Sequence, residues 1–337
     1  MKKVVLGLSG GFDSAVAALL LRREGDEVAG MWLDLGLGGR DAAETAARQL
    51  GIPFIAFAAE DRHVRLVRRP FAAAYASGVT PNPCVVCNRL VKFAALIETA
   101  DSLGAGYIAT GHYAGVDSSG GRFRILESGG AKDQSYMLCA LGQDTLSRLV
   151  FPLFGRDKSD IRRIAAEAGV SAASAKDSMD VCFIPDGDHA AYLERLGFAL
   201  PPGDFVDADG NVLGRHEGAH RYTVGQRRGL GVAAGKRIYV SRINLEKNEV
   251  ELSDIDGLSV GEIRAKDVNW VSLAPTGRPF RAEVKLRHGS RRFPALISPE
   301  GGGLRIVFDS PVKKPAAGQF AVGYDGRALL FGAEIVP

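Results

Sequence analysis

An apolar run, Val4-Val5-Leu6, leads straight into Gly7-Leu8-Ser9-Gly10-Gly11-Phe12-Asp13-Ser14, and an apolar stretch follows at 15–21. This order constrains the fold more than any other segment. A strand must end, glycines must turn the chain, and a helix must begin, all within a few residues. Glycine lets backbone approach a ligand without a side chain in between. The N–H groups and the positive end of the new helix then face that ligand together, which favours a phosphate. The Gly-Lys-Ser/Thr ending of a Walker A loop is missing. Two hydroxyls, Ser9 and Ser14, and one acid, Asp13, accompany the glycines; a turn that only closed a layer would not need them.

The residues up to about 190 alternate strand-like and helix-like runs. Residues 28–33, 52–57 and 107–111 read as strands. Residues 41–50 read as a helix stopped by Gly51, and 87–103 as a long helix stopped by Gly104. This rhythm predicts a Rossmann-like α/β domain, a parallel sheet with helices on both faces. Ligands of such sheets sit beyond the C-terminal strand ends, where Gly10, Gly11, Leu33, Gly111 and His112 would gather. The pattern changes after about Asp188. Pro201-Pro202-Gly203-Asp204 is a turn, and short strand-like runs follow. Residues 280–288 alternate apolar and polar as a half-buried strand does, with Arg281, Lys285 and Arg287 on one face. The expected organisation is an α/β catalytic domain at 1–190, a central β domain at 191–258 and a C-terminal β-barrel at 259–337.

Composition narrows the class. A chain with 46% hydrophobic and 24% charged residues is that of a soluble globular protein, and no apolar run is long enough to cross a membrane. The phosphate-type loop stands where the apolar core of a signal peptide would be, so a cytoplasmic chain is expected. Net charge is +3 but unevenly spread. Residues 260–337 carry twelve Lys/Arg and seven Asp/Glu, leaving the rest at −2. A basic terminal module on a near-neutral enzyme points to a polyanionic partner.

Four cysteines do not make a disulfide scaffold. Cys84 and Cys87 form a C-x-x-C pair after Thr80-Pro81-Asn82-Pro83. Read as the start of a helix, Cys87 would have its thiol pKa lowered by the dipole. Cys182 sits in a loop-like stretch, 177–185, and Cys139 lies among apolar residues as a core cysteine. The pair could serve redox chemistry, a metal or an iron–sulfur site. A second C-x-x-C is missing, which argues against structural zinc.

The loop at 7–14 resembles the SGGxDS loop of ATP pyrophosphatases, which split ATP into AMP and pyrophosphate. With it come Asn82-Pro83-Cys84…Cys87-Asn88, Ala109-Thr110-Gly111-His112-Tyr113, Lys132-Asp133-Gln134-Ser135-Tyr136, the Cys182 loop, Thr223-Val224-Gly225-Gln226-Arg227-Arg228-Gly229-Leu230-Gly231 and Arg287-His288. In this order they resemble the tRNA-specific 2-thiouridylase family, MnmA (TrmU), over nearly the whole chain. The resemblance implies ATP binding by Gly7, Leu8, Ser9, Gly10, Gly11, Phe12, Asp13, Ser14, Leu33 and Gly111, with Asp13 helping to hold Mg²⁺. It implies that Asn82, Pro83 and Cys84 lie against the target uridine. Lys132, Asp133, Gln134, Arg287 and His288 would contact tRNA. Cys87 matches the catalytic cysteine and Cys182 its persulfide-bearing partner. Many members carry an aspartate where this chain has Cys84.

The implied reaction is ATP-dependent 2-thiolation of a tRNA uridine at the wobble position. A donor, a cysteine desulfurase or a sulfur carrier protein, would supply the sulfur. Two routes stay open. Cys182 would carry a persulfide that Cys87 resolves through a transient disulfide, or Cys84, Cys87 and Cys182 would hold a 4Fe–4S cluster by three corners. Another ATP pyrophosphatase of the amide or amidine ligase type would fit the loop but needs no paired cysteines. A non-catalytic RNA-binding protein would not need Ser9, Asp13 and Ser14.

Overall fold

Residues 1–130, 132–169 and 181–337 are described by the structure, a computed structural model. Residues 177–180 of the stretch before Cys182 lie outside them.

The chain begins with β1 (Lys3–Gly7), α1 (Phe12–Arg23), β2 (Glu27–Asp34), α2 (Arg40–Leu50) and β3 (Phe54–Ala58). Two helical segments follow at 60–76 and 83–102, each interrupted by a π-turn, at Val64–Arg68 and Asn88–Lys92. Then come β4 (Tyr107–Ala109), a hairpin of β5 (Ala114–Ser119) and β6 (Arg122–Glu127), and β7 (Leu149–Val150). Five strands form one parallel sheet in the order β3-β2-β1-β4-β7. Successive residues of a strand face opposite layers. Val4 and Leu6 pack against Ala17, Leu21 and Ile164, while Val5 packs with Phe93, Leu96 and Ile108 on the other face. Both faces are covered, so β1 is a continuous apolar run rather than an alternating one. Gly51 stops α2 in the left-handed conformation, φ 61°.

The β5–β6 hairpin leaves this sheet. Its β6 pairs with β17 (Ala328–Ile335) of the C-terminal module. The central module is a four-stranded sheet ordered β10-β11-β8-β9, made of β8 (Gly203–Val206), β9 (Val212–His216), β10 (Tyr239–Asn244) and β11 (Glu249–Ser253). The last module comprises β12 (Ser259–Trp270), β13 (Phe280–Lys285), β14 (Phe293–Glu300), β15 (Gly303–Lys313), β16 (Phe320–Asp325) and β17. Pairing of β12 with both β15 and β17 closes it into a six-stranded barrel. The twelve residues of β12 serve both neighbours through bulges that shift its register. The α/β-then-all-β architecture read from the sequence is therefore present.

The barrel is fused to the first domain. Tyr136, Leu138 and Cys139 share one apolar core with Val322, Tyr324 and Leu329. Asn269 donates to the carbonyls of Cys139 and Leu141 at 2.8 and 2.9 Å. Cys139 is fully buried, as its apolar neighbours predict. One strand is shorter than expected. β13 alternates cleanly but stops at Lys285, so Arg287 and His288 stand in the turn beyond it. Among the described residues, no helix is long and apolar enough to cross a membrane.

Candidate functional site

The glycine loop joins β1 to α1 at the C-terminal edge of the parallel sheet. Gly10 has φ +80°, and a Cβ there would lie 2.7 Å from Ala42 and from the Ala43 nitrogen. Only glycine fits both the conformation and the close approach of α2. Gly111, just past β4, is needed for another reason: its Cβ would stand 2.9 Å from the Asp13 carbonyl carbon and 3.0 Å from the Ser14 nitrogen. Gly111 thus meets the loop, as the sequence implied. Ser9 and Ser14 lock the turn. The Ser9 N–H donates to Ser14 Oγ (3.2 Å), the Gly11 N–H to Ser9 Oγ (3.3 Å), and the Ser14 hydroxyl to the Gly11 carbonyl (3.0 Å). No side chain caps α1, so its first-turn amides are left for a ligand. The Asp13 carboxylate accepts the Tyr113 hydroxyl through Oδ1 at 2.6 Å. Its Oδ2 has no hydrogen-bond partner among the described residues, which fits a carboxylate kept for a phosphate-bound cation such as Mg²⁺.

The thiols lie beyond the same sheet edge. Leu33 and Leu35 at the end of β2, and Phe57 and Ala59 at the end of β3, pack with Val91, Phe71, Phe183 and Ile184. Cys87 and Val181 join this cluster, which draws the Cys182 stretch onto the helix bearing Cys87. The helical segment starts at Pro83, with Asn82 as its cap; Asn82 Oδ1 accepts the Val85 N–H at 3.3 Å. Cys84, not Cys87, occupies the first turn, and Cys87 closes it. The expected depression of the Cys87 pKa is reversed. Burial pushes this thiol up to about 11, and the nearby Cys182 and Cys84 add to the rise. The Lys92 ammonium opposes that shift without cancelling it. Burial also raises Cys84 and Cys182, with Lys92 opposing in both and Arg68 in Cys182. Each of these cations ends one of the two π-turns, a distortion frequent at functional sites. Arg68 is fixed by a bond to His63 Nδ1 (3.1 Å) and one to the Leu35 carbonyl.

All four cysteines are free thiols, and Cys182 is exposed. Among the described residues, no group of three or more His, Cys, Asp or Glu side chains is disposed to hold a metal ion. Cys84, Cys87 and Cys182, left open by the resemblance as one possible 4Fe–4S ligand set, form no such group.

The residues expected to meet RNA divide. His288 comes within 6.1 Å of the Tyr136 ring, and Asn82 reaches the Tyr136 hydroxyl, so Asn82 and His288 flank one buried tyrosine. Arg287 is exposed and makes no ion pair among the described residues. Other barrel cations are already engaged: Arg281 with Asp309, Lys285 with Glu127 (2.7 Å) and Asp133 (3.6 Å), and Arg292 with Glu127 (2.8 Å) and Glu283 (3.1 Å). Asp133 also accepts the Ser128 N–H at 2.9 Å, and Gln134 Oε1 accepts the Tyr113 N–H at 3.0 Å. These two residues brace the fold.

Comparison with known proteins establishes the family. Family models match in succession: a tRNA methyl transferase HUP domain at residues 2–186, a tRNA methyl transferase PRC-barrel domain at 191–254, and an aminomethyltransferase beta-barrel domain at 260–335. The chain is 40% identical over 348 residues to the tRNA-specific 2-thiouridylase MnmA of Nostoc punctiforme, covering 99% of each chain. The chain belongs to the MnmA family. MnmA 1 of Clostridium botulinum matches at 40% over 352 residues, again with 99% of each chain covered. A solved 4-thiouridine synthetase–RNA complex with bound ATP overlaps 58% of this chain and 50% of that one, at 20% identity and a TM-score of 0.38, too loose a likeness to argue from.

Sequence reasoning missed Lys92, Arg68 and Tyr113. Lys92 follows Cys87 by five residues, a spacing that α-helical periodicity puts on another face. Arg68 reaches the site from a separate element and carries no motif of its own, and Tyr113 closes the Ala109–Tyr113 motif without that motif giving it a role.

Proposed function

We propose that the protein is an ATP-dependent sulfurtransferase that replaces the C2 oxygen of a tRNA uridine, at the wobble position of the anticodon, by sulfur. One observation carries the reading. Cys87 and Val181, the residue before Cys182, join one apolar cluster at the sheet edge that also bears the phosphate-type loop, and Cys182, 95 residues from Cys87 in sequence, lies near enough to raise the Cys87 pKa. An amide or amidine ligase would have no use for that arrangement.

The uridine C2 oxygen attacks the α-phosphorus of ATP, and pyrophosphate leaves from the loop of Gly7, Leu8, Ser9, Gly10, Gly11, Phe12, Asp13 and Ser14, beside Leu33 and Gly111. Mg²⁺ bound with the ATP would offset charge on the phosphates, with Asp13 as its protein ligand. The terminal sulfur of a persulfide on Cys182 then attacks C2, and AMP leaves with the original oxygen. The Cys87 thiolate attacks the Cys182 sulfur, breaking the S–S bond. This releases 2-thiouridine and leaves a Cys87–Cys182 disulfide, which an external thiol reduces. The sulfur enters from a cysteine desulfurase or a sulfur carrier protein. Asn82, Pro83 and Cys84 border the base, and Lys132, Arg287 and His288 meet the tRNA. No step is assigned to a cluster.

The test supplies tRNA, ATP and a persulfide donor to enzyme purified anaerobically, then measures iron, AMP and 2-thiouridine. Iron-free enzyme should form AMP and 2-thiouridine together, only with tRNA. Cys87→Ser and Cys182→Ser should lose 2-thiouridine while still binding ATP, and Cys84→Ser should stay active. AMP formation indifferent to tRNA would refute the reading; joint loss of iron and activity in Cys84→Ser would refute the persulfide route.

A further inference from the structure

Asp13 is the one acid of the glycine loop, and its two oxygens are not equivalent. Oδ1 is held by the Tyr113 hydroxyl at 2.6 Å. Tyr113 is itself rigid. It is buried, with its ring in the cluster of Val4, Leu6, Ala109 and Leu153. A donor fixed on a packed ring holds a carboxylate in one rotamer and aims its second oxygen outward.

Tyr113 is in turn clamped at its backbone. Its N–H donates to Gln134 Oε1 at 3.0 Å, and its carbonyl accepts the Gln134 N–H at 2.9 Å. The residues beside Gln134 are tied to the barrel. Asp133 pairs with Lys285 of β13 at 3.6 Å. Ser135 donates to Asp133 Oδ2 at 2.8 Å, and its hydroxyl meets that of Tyr324 in β16 at 3.0 Å. Asp133 and Ser135 thus anchor to the barrel the residue between them, Gln134, whose hydrogen bonds lead through Tyr113 to Asp13. Sequence order alone does not reveal this link, because Tyr113 stands 100 residues from Asp13.

We propose that Tyr113 is a positioning residue for the Asp13 carboxylate, and that Gln134 makes this positioning sensitive to RNA bound against segment 132–134. The inference rests on the functional reading above and deepens it. Contact with RNA on one side of the segment shifts or steadies Gln134. Gln134 holds the Tyr113 backbone by two hydrogen bonds, and the Tyr113 hydroxyl sets the acid that meets the ATP phosphates. ATP is thereby kept from full engagement until the nucleic acid is seated.

Tyr113→Phe removes the hydroxyl and keeps the ring. The probe is α,β-methylene-ATP, titrated calorimetrically with Mg²⁺ and with EDTA; pyrophosphate release is measured with and without tRNA. A hydrogen bond to a charged group corresponds to about tenfold or more in binding. Tyr113→Phe should lose that factor in the Mg²⁺-dependent affinity, keep its affinity in EDTA, and lose nothing more when added to Asp13→Asn. Gln134→Met, which keeps length but not the acceptor, should reduce tRNA stimulation more than nucleotide affinity; it carries the test if Tyr113→Phe does not fold. A merely structural role would lower melting temperature and leave both the Mg²⁺ dependence and the tRNA stimulation unmoved, which overturns the proposal. Additive effects of Tyr113→Phe and Asp13→Asn overturn it too. If Asp13→Ala also leaves pyrophosphate release intact, the ATP site itself is wrong; if Asp13→Ala is inactive and Tyr113→Phe behaves as wild type, only this inference fails.

Discussion

Alkylation of Cys87 should report how strongly burial governs the thiol pocket. Its pKa is pushed from an ordinary 9 up to about 11, mainly by desolvation, with Lys92 opposing. At pH 8 the thiolate fraction is then about 0.1%, against about 10% for an unperturbed thiol of pKa 9. Iodoacetamide should therefore label Cys87 about 100-fold more slowly than a free thiol at pH 8, the rate rising about tenfold per pH unit until about 11. Exposed Cys182 should react faster and buried Cys139 hardly at all. Lys92→Met removes the opposing cation and should move the Cys87 midpoint higher still. Stability follows the same shift. A group whose folded pKa exceeds its unfolded value stabilises fully below about pH 9 and loses that contribution as pH rises to about 11, a change of about 2–3 kcal/mol. Peptide-resolved mass spectrometry of timed labelling measures the midpoint for each cysteine. A Cys87 midpoint at or below 9, or one that Lys92→Met leaves in place, would refute the reasoning.

Three further outcomes are expected. Asp13→Ala should abolish AMP and pyrophosphate formation with an unchanged circular dichroism spectrum; undiminished release would remove Asp13 from the ATP site. Arg287→Ala should weaken tRNA binding and reduce the slope of log affinity against log salt by about one, as loss of one phosphate contact requires, whereas Arg281→Ala should change the slope less because Arg281 is paired with Asp309; filter binding across a salt series decides. Gly111→Ala places a methyl 2.9 Å from the Asp13 backbone and should cost about 1–3 kcal/mol by overpacking along with nucleotide affinity, while Gly106→Ala, where a Cβ meets nothing within 4 Å, should be near neutral in urea melts.

The strand–loop–helix at the N-terminus was legible because it is local. An apolar run, two glycines, hydroxyls and an apolar helix start specify one β–α corner whatever surrounds them, although the close approaches that Gly10 and Gly111 make are to α2 and to the loop backbone, where the sequence had suggested a ligand. The same holds for the buried Cys139, the helix stop at Gly51 and the β modules that begin at Gly203, whereas the helix at His189–Arg195 just after Asp188 was not foreseen. The sequence also singled out Cys87 and Cys182, and the structure draws the Cys182 stretch onto the helix that bears Cys87. It could not set their ionisation. A helix-start argument lowers the Cys87 pKa, but Cys87 closes the first turn, and desolvation by a pocket built from β2, β3 and the 181–184 stretch outweighs the single cation Lys92. Nor could it tell which barrel cations remain available. Arg281, Lys285 and Arg292 look alike in sequence, yet acids from β6, β13 and β15 engage them, while Arg287 has no ion pair among the described residues. These outcomes depend on packing, because desolvation and Coulomb attraction are set by what stands within a few ångströms in space, and the neighbours here range from a few residues away, as Lys92 is from Cys87, to 158 residues away, as Glu127 is from Lys285.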